Sequence, residues 1–113
     1  MGVGMSSSIG VPAYRPVTTQ TAAGGLRVLV RGEVDIDTVG AMVAELRAAE
    51  AGDATSIVLD LSGVSFLDSM GVSAIVRGAL RSRANGDRLR VVTSPAVDRV
   101  IDLCGLRGRL PLA

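Results

Sequence analysis

Ile57-Val58-Leu59-Asp60-Leu61 is a nearly continuous apolar run, soon followed by Phe66-Leu67-Asp68-Ser69-Met70-Gly71 and then by apolar residues at Val72, Ile75, Val76, Ala79 and Leu80. The run has the length and composition of a central strand, and the spacing after it is that of an amphipathic helix. Asn85-Gly86-Asp87 is a turn signal, and Leu89 to Thr93 behind it reads as another strand. A strand, a helix and a strand in that order form a βαβ unit, so the two strands run parallel.

The pattern extends in both directions. Upstream, Leu26, Val28 and Val30 alternate with Arg27 and Arg31, which predicts a strand with one buried face and one wet face. Val17 to Thr21 reads as a first strand, joined to it through Ala22-Ala23-Gly24-Gly25. Val39, Met42, Val43 and Leu46 recur at helical spacing behind Asp37, the expected N-cap. Downstream, Val97, Val100, Ile101 and Cys104 repeat the pattern, placing Cys104 in the core. Ser94 is the N-cap there, Pro95 the first helical residue and Gly105 the C-cap. The order is β-β-α-β-α-β-α in an α/β domain over 16–113, with the helices on one face because arginines occupy the other. Residues 1–15, rich in Gly and Ser and with Pro12, read as a flexible N-terminal arm.

Composition excludes most chemistry. The chain has 113 residues, enough for one domain with a hydrophobic core. It contains no histidine, and all 12 basic residues are arginine. Histidine-based triads, histidine-ligated metals, Schiff-base lysines and the P-loop lysine are therefore absent. Cys104 is the single cysteine, so no intramolecular disulfide can form. A net charge of +1 gives no drive toward nucleic acid, and Tyr14 and Phe66 alone cannot make a base-stacking platform. No apolar run approaches a membrane span. Met1-Gly2 with Ser6 fits the short N-myristoylation pattern, but no polybasic or second-lipid signal supports it. The expectation is a cytoplasmic protein without catalytic residues, cofactor, metal or small-molecule substrate.

Asp68 and Ser69 fall where the central helix opens, and the free amides there favour negative charge. An ordinary N-cap accounts for them; so does a phosphate acceptor, because a helix N-terminus accommodates phosphate without unfolding. Gly71, in the first turn, implies close approach by either a partner or the preceding strand. Met70, Ala74, Arg77 and Arg81 lie opposite the expected core stripe, resembling a docking surface for an acid-rimmed apolar groove. Glu33-Val34-Asp35-Ile36-Asp37 clusters three acids but lacks the rest of a calcium loop, and no lysine completes a phospho-aspartate receiver.

The ordered set Gly32-Glu33-Val34-Asp35 with Thr38, Ile57 to Leu61, Phe66 to Gly71, Ser94-Pro95-Ala96-Val97 and Gly105-Leu106 resembles a stand-alone STAS domain of the anti-sigma-factor antagonist family, over about residues 17 to 112. The resemblance implies a mixed four-stranded sheet with helices on one face. It also implies binding to an anti-sigma factor that is a serine kinase, which releases the sigma factor. That kinase, using ATP and Mg²⁺, phosphorylates Ser69 and ends binding; a serine phosphatase restores it. Asp35, Thr38, Asp68, Ser69, Met70, Gly71, Ser73 and Arg77 are the expected partner surface. Many family members carry a second hydroxyl after the acceptor, where this chain has Met70. The alternative role for this fold is a docking subunit of a transporter ATPase or of a stress-signalling scaffold.

Overall fold

The computed structural model describes residues 15–113. The Met1-Gly2-Ser6 pattern, Tyr14 and all of the expected arm but Arg15 lie outside the described residues. Strands β1 (Val17–Gln20), β2 (Leu26–Val34), β3 (Ile57–Leu67) and β4 (Leu89–Val92) form one sheet in the spatial order 1-2-3-4. β1 and β2 are antiparallel, joined by a 3₁₀ turn at Ala22–Gly24. β2, β3 and β4 are mutually parallel. Helices α1 (Val39–Ala51), α2 (Ser69–Ala84) and α3 (Pro95–Leu103) follow β2, β3 and β4 in turn.

Register explains which side is covered. Leu26, Ile57 and Leu89 stand side by side, as do Val28, Leu59 and Val91. These pack with Met42 and Leu46 of α1, Ile75 of α2, and Val97 and Ile101 of α3 in one buried cluster. Burying side chains of this size stabilises by about 1.5–3 kcal/mol each, so the face carrying them is the one the helices cover. The opposite face presents Arg27, Leu29, Val58, Asp60 and Arg90, outside that cluster.

Asp60 interrupts the apolar run for a reason the run itself does not reveal. It is 4% exposed and receives Arg27 Nε at 2.7 Å, with Nη2 on the same oxygen. Its other oxygen accepts the Ser62 N–H at 2.9 Å. Burial alone would raise its pKa; donors from Ser62 and Arg27 outweigh that and hold the carboxyl below its ordinary value.

Several boundaries differ from the sequence reading. β3 continues past Leu61 to Leu67, because Gly63, Val64, Phe66 and Leu67 keep pairing with β2 across two register shifts. Exposed Ser62, Gly63, Ser65 and Phe66 disguise that stretch as loop. β4 ends at Val92, one residue early. Asp37 does not cap α1. Asp35 Oδ1 accepts the N–H groups of Asp37 (2.9 Å) and Thr38 (3.2 Å), so the chain begins to turn two residues sooner.

The core stripe of α2 is Gly71, Ile75, Gly78 and Ala79, and Leu80 is 57% exposed rather than buried. The glycines cause this shift. A Cβ on Gly71 would stand 2.3 Å from Leu67 Cδ1 and 2.9 Å from Val34 Cγ1, and one on Gly78 3.0 Å from Leu46 Cδ2. The helix settles on its glycine side and turns Leu80 outward.

Cys104 is exposed too, since α3 ends at Leu103. Gly105 (φ +68°) supplies the left-handed residue that closes α3, and Leu106 N–H returns to the Ile101 carbonyl. Arg107 then bridges Asp98 and Asp102. Leu112 pairs beside Val91, shielding the outer edge of β4.

Candidate functional site

Two loops meet at the carboxyl ends of β2 and β3. Glu33 pairs with Phe66 and Val34 with Leu67, so Asp35 and Asp68 are the next residues on adjacent parallel strands. The Asp68 N–H donates to the Val34 carbonyl at 3.1 Å and fastens the second loop to the first. Thr38 ties the first loop internally, its hydroxyl donating to the Glu33 carbonyl at 2.7 Å and accepting the Asp35 N–H at 3.0 Å. The loops are therefore held by backbone groups and short polar side chains rather than by long ones.

Asp68 resolves one ambiguity of the sequence. Its Oδ1 accepts Met70 N–H at 2.9 Å and Gly71 N–H at 3.1 Å, which makes Asp68 the N-cap of α2. Ser69 is thus released from capping. It is the first helical residue and exposed, and among the described residues its hydroxyl has no hydrogen-bond partner. A hydroxyl with no structural duty at a helix N-terminus is chemically free for acylation or phosphorylation, and the dipole there offsets part of an added negative charge.

The remaining expected partner residues divide. Met70 is 48% exposed, and Met70, Ser73 and Arg77 line an open cleft of about 440 Å³ between α1 and α2. Gly71 lies beneath the surface against Leu67 and Val34; it serves helix-on-strand packing and offers no contact of its own to a partner. Thr38 and Asp35 are half-buried and shape the loop, leaving Asp37 and Ile36 outward.

Sequence reading missed Ile36, which is 72% exposed between two aspartates, and the α1 wall of the cleft, Val39, Val43 and Arg47. An apolar residue stranded among acids was a usable signal for Ile36. No local pattern pairs Arg47 with Arg77, because they meet only when two helices pack. Among the described residues no group of three or more His, Cys, Asp or Glu is placed to hold a metal ion. None of their helices is long and apolar enough to cross a membrane.

The arrangement of sheet and helices has known counterparts. The chain is similar to the crystal structure of an anti-sigma factor antagonist from Mycobacterium paratuberculosis, with 30% identity, a TM-score of 0.76, and 90% of this chain and 87% of that one covered. It shares its fold with the unphosphorylated form of the anti-sigma factor antagonist SpoIIAA at 23% identity, a TM-score of 0.69 and 87% of either chain. A Thermotoga maritima protein shares it at 19% identity, with a TM-score of 0.74 over 86% of this chain and 84% of that one. The family described as "Mlab, STAS domain" matches residues 17–112, nearly all that the structure describes, and the chain belongs to the STAS domain family.

Proposed function

We propose that this protein is an anti-sigma factor antagonist of the bacterial cytoplasm that acts by binding rather than by catalysis. In its unmodified form it occupies an anti-sigma factor that is also a serine kinase, and the sigma factor is released. The kinase, supplied with ATP and Mg²⁺, transfers phosphate to Ser69 and thereby dissolves the complex; a serine phosphatase reverses the change. The observation that carries the reading is the exposed Ser69 hydroxyl, which has no hydrogen-bond partner among the described residues at the first turn of α2 while Asp68 performs the capping.

The switch needs no change of fold. Phosphate adds about −1.5 to −2 charges to a surface already bearing Glu33, Asp35, Asp37 and Asp68. The acidic end invites a cationic contact from the partner. A phosphate placed inside that contact must shed water without enough donors to replace it, and a buried charge left short of partners costs several kcal/mol. Binding is lost while the capped helix stays formed.

The test is incubation of purified protein with Mg-ATP and lysate of its source cells, with phosphate mapped by mass spectrometry. A single phosphate on Ser69, absent from Ser69→Ala, is the expected result. An unmodified Ser69 in a lysate shown to phosphorylate another antagonist would contradict the switch. It would favour a constitutive docking subunit of a transporter ATPase or a stress-signalling scaffold.

A further inference from the structure

Arginine and apolar surface are combined in the α1–α2 cleft in a way the phosphorylation switch does not use. Its apolar lining is Val39 and Val43 from α1 with Met70 and Ala74 from α2. Arg47, Arg77 and Arg81 stand along it. Glu50 takes Arg81 through two bonds of 2.8 and 3.0 Å and Arg47 loosely at 3.5 Å, while Asp68, whose carboxylate accepts the Met70 N–H, stands at the opposite end of the cleft. Arg77, exposed, has no carboxylate partner among the described residues. α2 itself carries Arg77, Arg81 and Arg83 and no acid. The cleft is therefore apolar inside and positive along the half that carries Arg47, Arg77 and Arg81, with the acidic loops at its Val39 and Met70 end.

Its dimensions limit the occupant. Val39 to Arg47 and Met70 to Arg81 each span two to three helical turns, about 12–16 Å at 1.5 Å per residue. A groove of that length receives apolar side chains spaced i, i+3 or i+4, and i+7 from one helix. Charge fixes the rest: the same helix must carry carboxylates on its flanks to meet Arg47 and Arg77. We infer that the α1–α2 cleft is a docking groove for an acidic amphipathic helix of the partner protein, lying alongside the Ser69 contact. The sequence reading had Met70 entering a groove on the partner; the structure places Met70 in the wall of a groove on this protein. The inference rests on the reading of this end of α2 as a partner-binding site.

The groove is tested with the whole protein and a synthetic peptide of about 18 residues, with leucines at i, i+3, i+4 and i+7, four glutamates flanking that stripe and alanine or glutamine elsewhere to favour the helix. Its twin replaces every glutamate with lysine. Amide shifts in the labelled protein are expected at Val39, Val43, Ser73 and Arg77 with the acidic helix and not with the basic one. Raising salt from about 50 to about 500 mM weakens the complex, since exposed charges are screened. Arg47→Glu with Arg77→Glu lowers affinity at least about tenfold, close to 1.4 kcal/mol. Arg83→Glu with Arg109→Glu, an equal charge change away from the cleft, leaves affinity within about twofold.

Equal binding of both peptides, shifts confined to other surfaces, self-association through the cleft, or no shift at millimolar peptide would each overturn the inference. Because wild-type shift mapping needs no variant, a misfolded mutant leaves the test intact. Phosphorylation of Ser69 without peptide binding removes the groove alone. Peptide binding with an unmodifiable Ser69 removes the switch alone.

Discussion

Asp68 and Ser69 are neighbours with opposite duties, and the difference is measurable. One carboxylate oxygen of Asp68 holds two amides of α2, so Asp68→Ala should cost about 0.5–2 kcal/mol in urea unfolding. Among the described residues the Ser69 hydroxyl has no hydrogen-bond partner, so Ser69→Ala should change stability by less than about 0.5 kcal/mol. If the two variants were equally destabilised, Ser69 would be sharing the cap. Asp60 gives a pH prediction. Its folded pKa lies below the ordinary 3.8, so its stabilisation is complete above that value and disappears as pH falls through the lower folded pKa. Unfolding midpoints measured from pH about 6 to about 3 should drop less in Asp60→Asn than in the wild type. Asp60 was visible in the sequence only as an oddity in an apolar run. Its partner Arg27 lies 33 positions away, and pairing them requires the register of β2 against β3.

At the scale of elements, α2 shows where pattern reading succeeds and where it fails. Periodicity placed the helix correctly between β3 and β4, and the cap signal left Asp68 or Ser69 as its N-cap, a choice the structure makes for Asp68. Periodicity could not choose the buried stripe, because Leu80 scores as core and Gly78 does not. In the structure Gly71 and Gly78 are the points of closest approach, and the apolar Leu80 is turned out. Gly71→Ala is the corresponding prediction. Alanine improves helix propensity by up to about 1 kcal/mol, but overpacking against Leu67 and Val34 costs about 1–3 kcal/mol. Net destabilisation in urea is expected; a more stable variant would mean that α2 can lift from β3 at little cost. The same blindness to neighbours misassigned Asp37, since Asp35 is already placed by its strand to accept the turning amides. It also misassigned Cys104, whose helical spacing says nothing about where α3 stops.

The whole molecule separates its core from the proposed switch. The helices cover one sheet face, and their side chains with the buried sheet residues form one core; the loops bearing Asp35 and Ser69 lie at the carboxyl ends of β2 and β3. The order of elements and the opening of α2 at Asp68-Ser69 were legible because each depends on residues close together in sequence. The cleft between α1 and α2 was only half legible, since Arg47 and Val43 belong to an element thirty residues from Arg77. A charge at position 69 should therefore alter association and leave stability nearly unchanged. Ser69→Asp is expected to unfold within about 0.5 kcal/mol of the wild type, the range of exposed substitutions, while binding the anti-sigma kinase more weakly. The most direct measurement is calorimetric titration of the kinase from the source cells with unmodified protein and with protein phosphorylated at Ser69. The account predicts that phosphate lowers affinity at least about tenfold, or about 1.4 kcal/mol. Equal affinity of the two forms would contradict it.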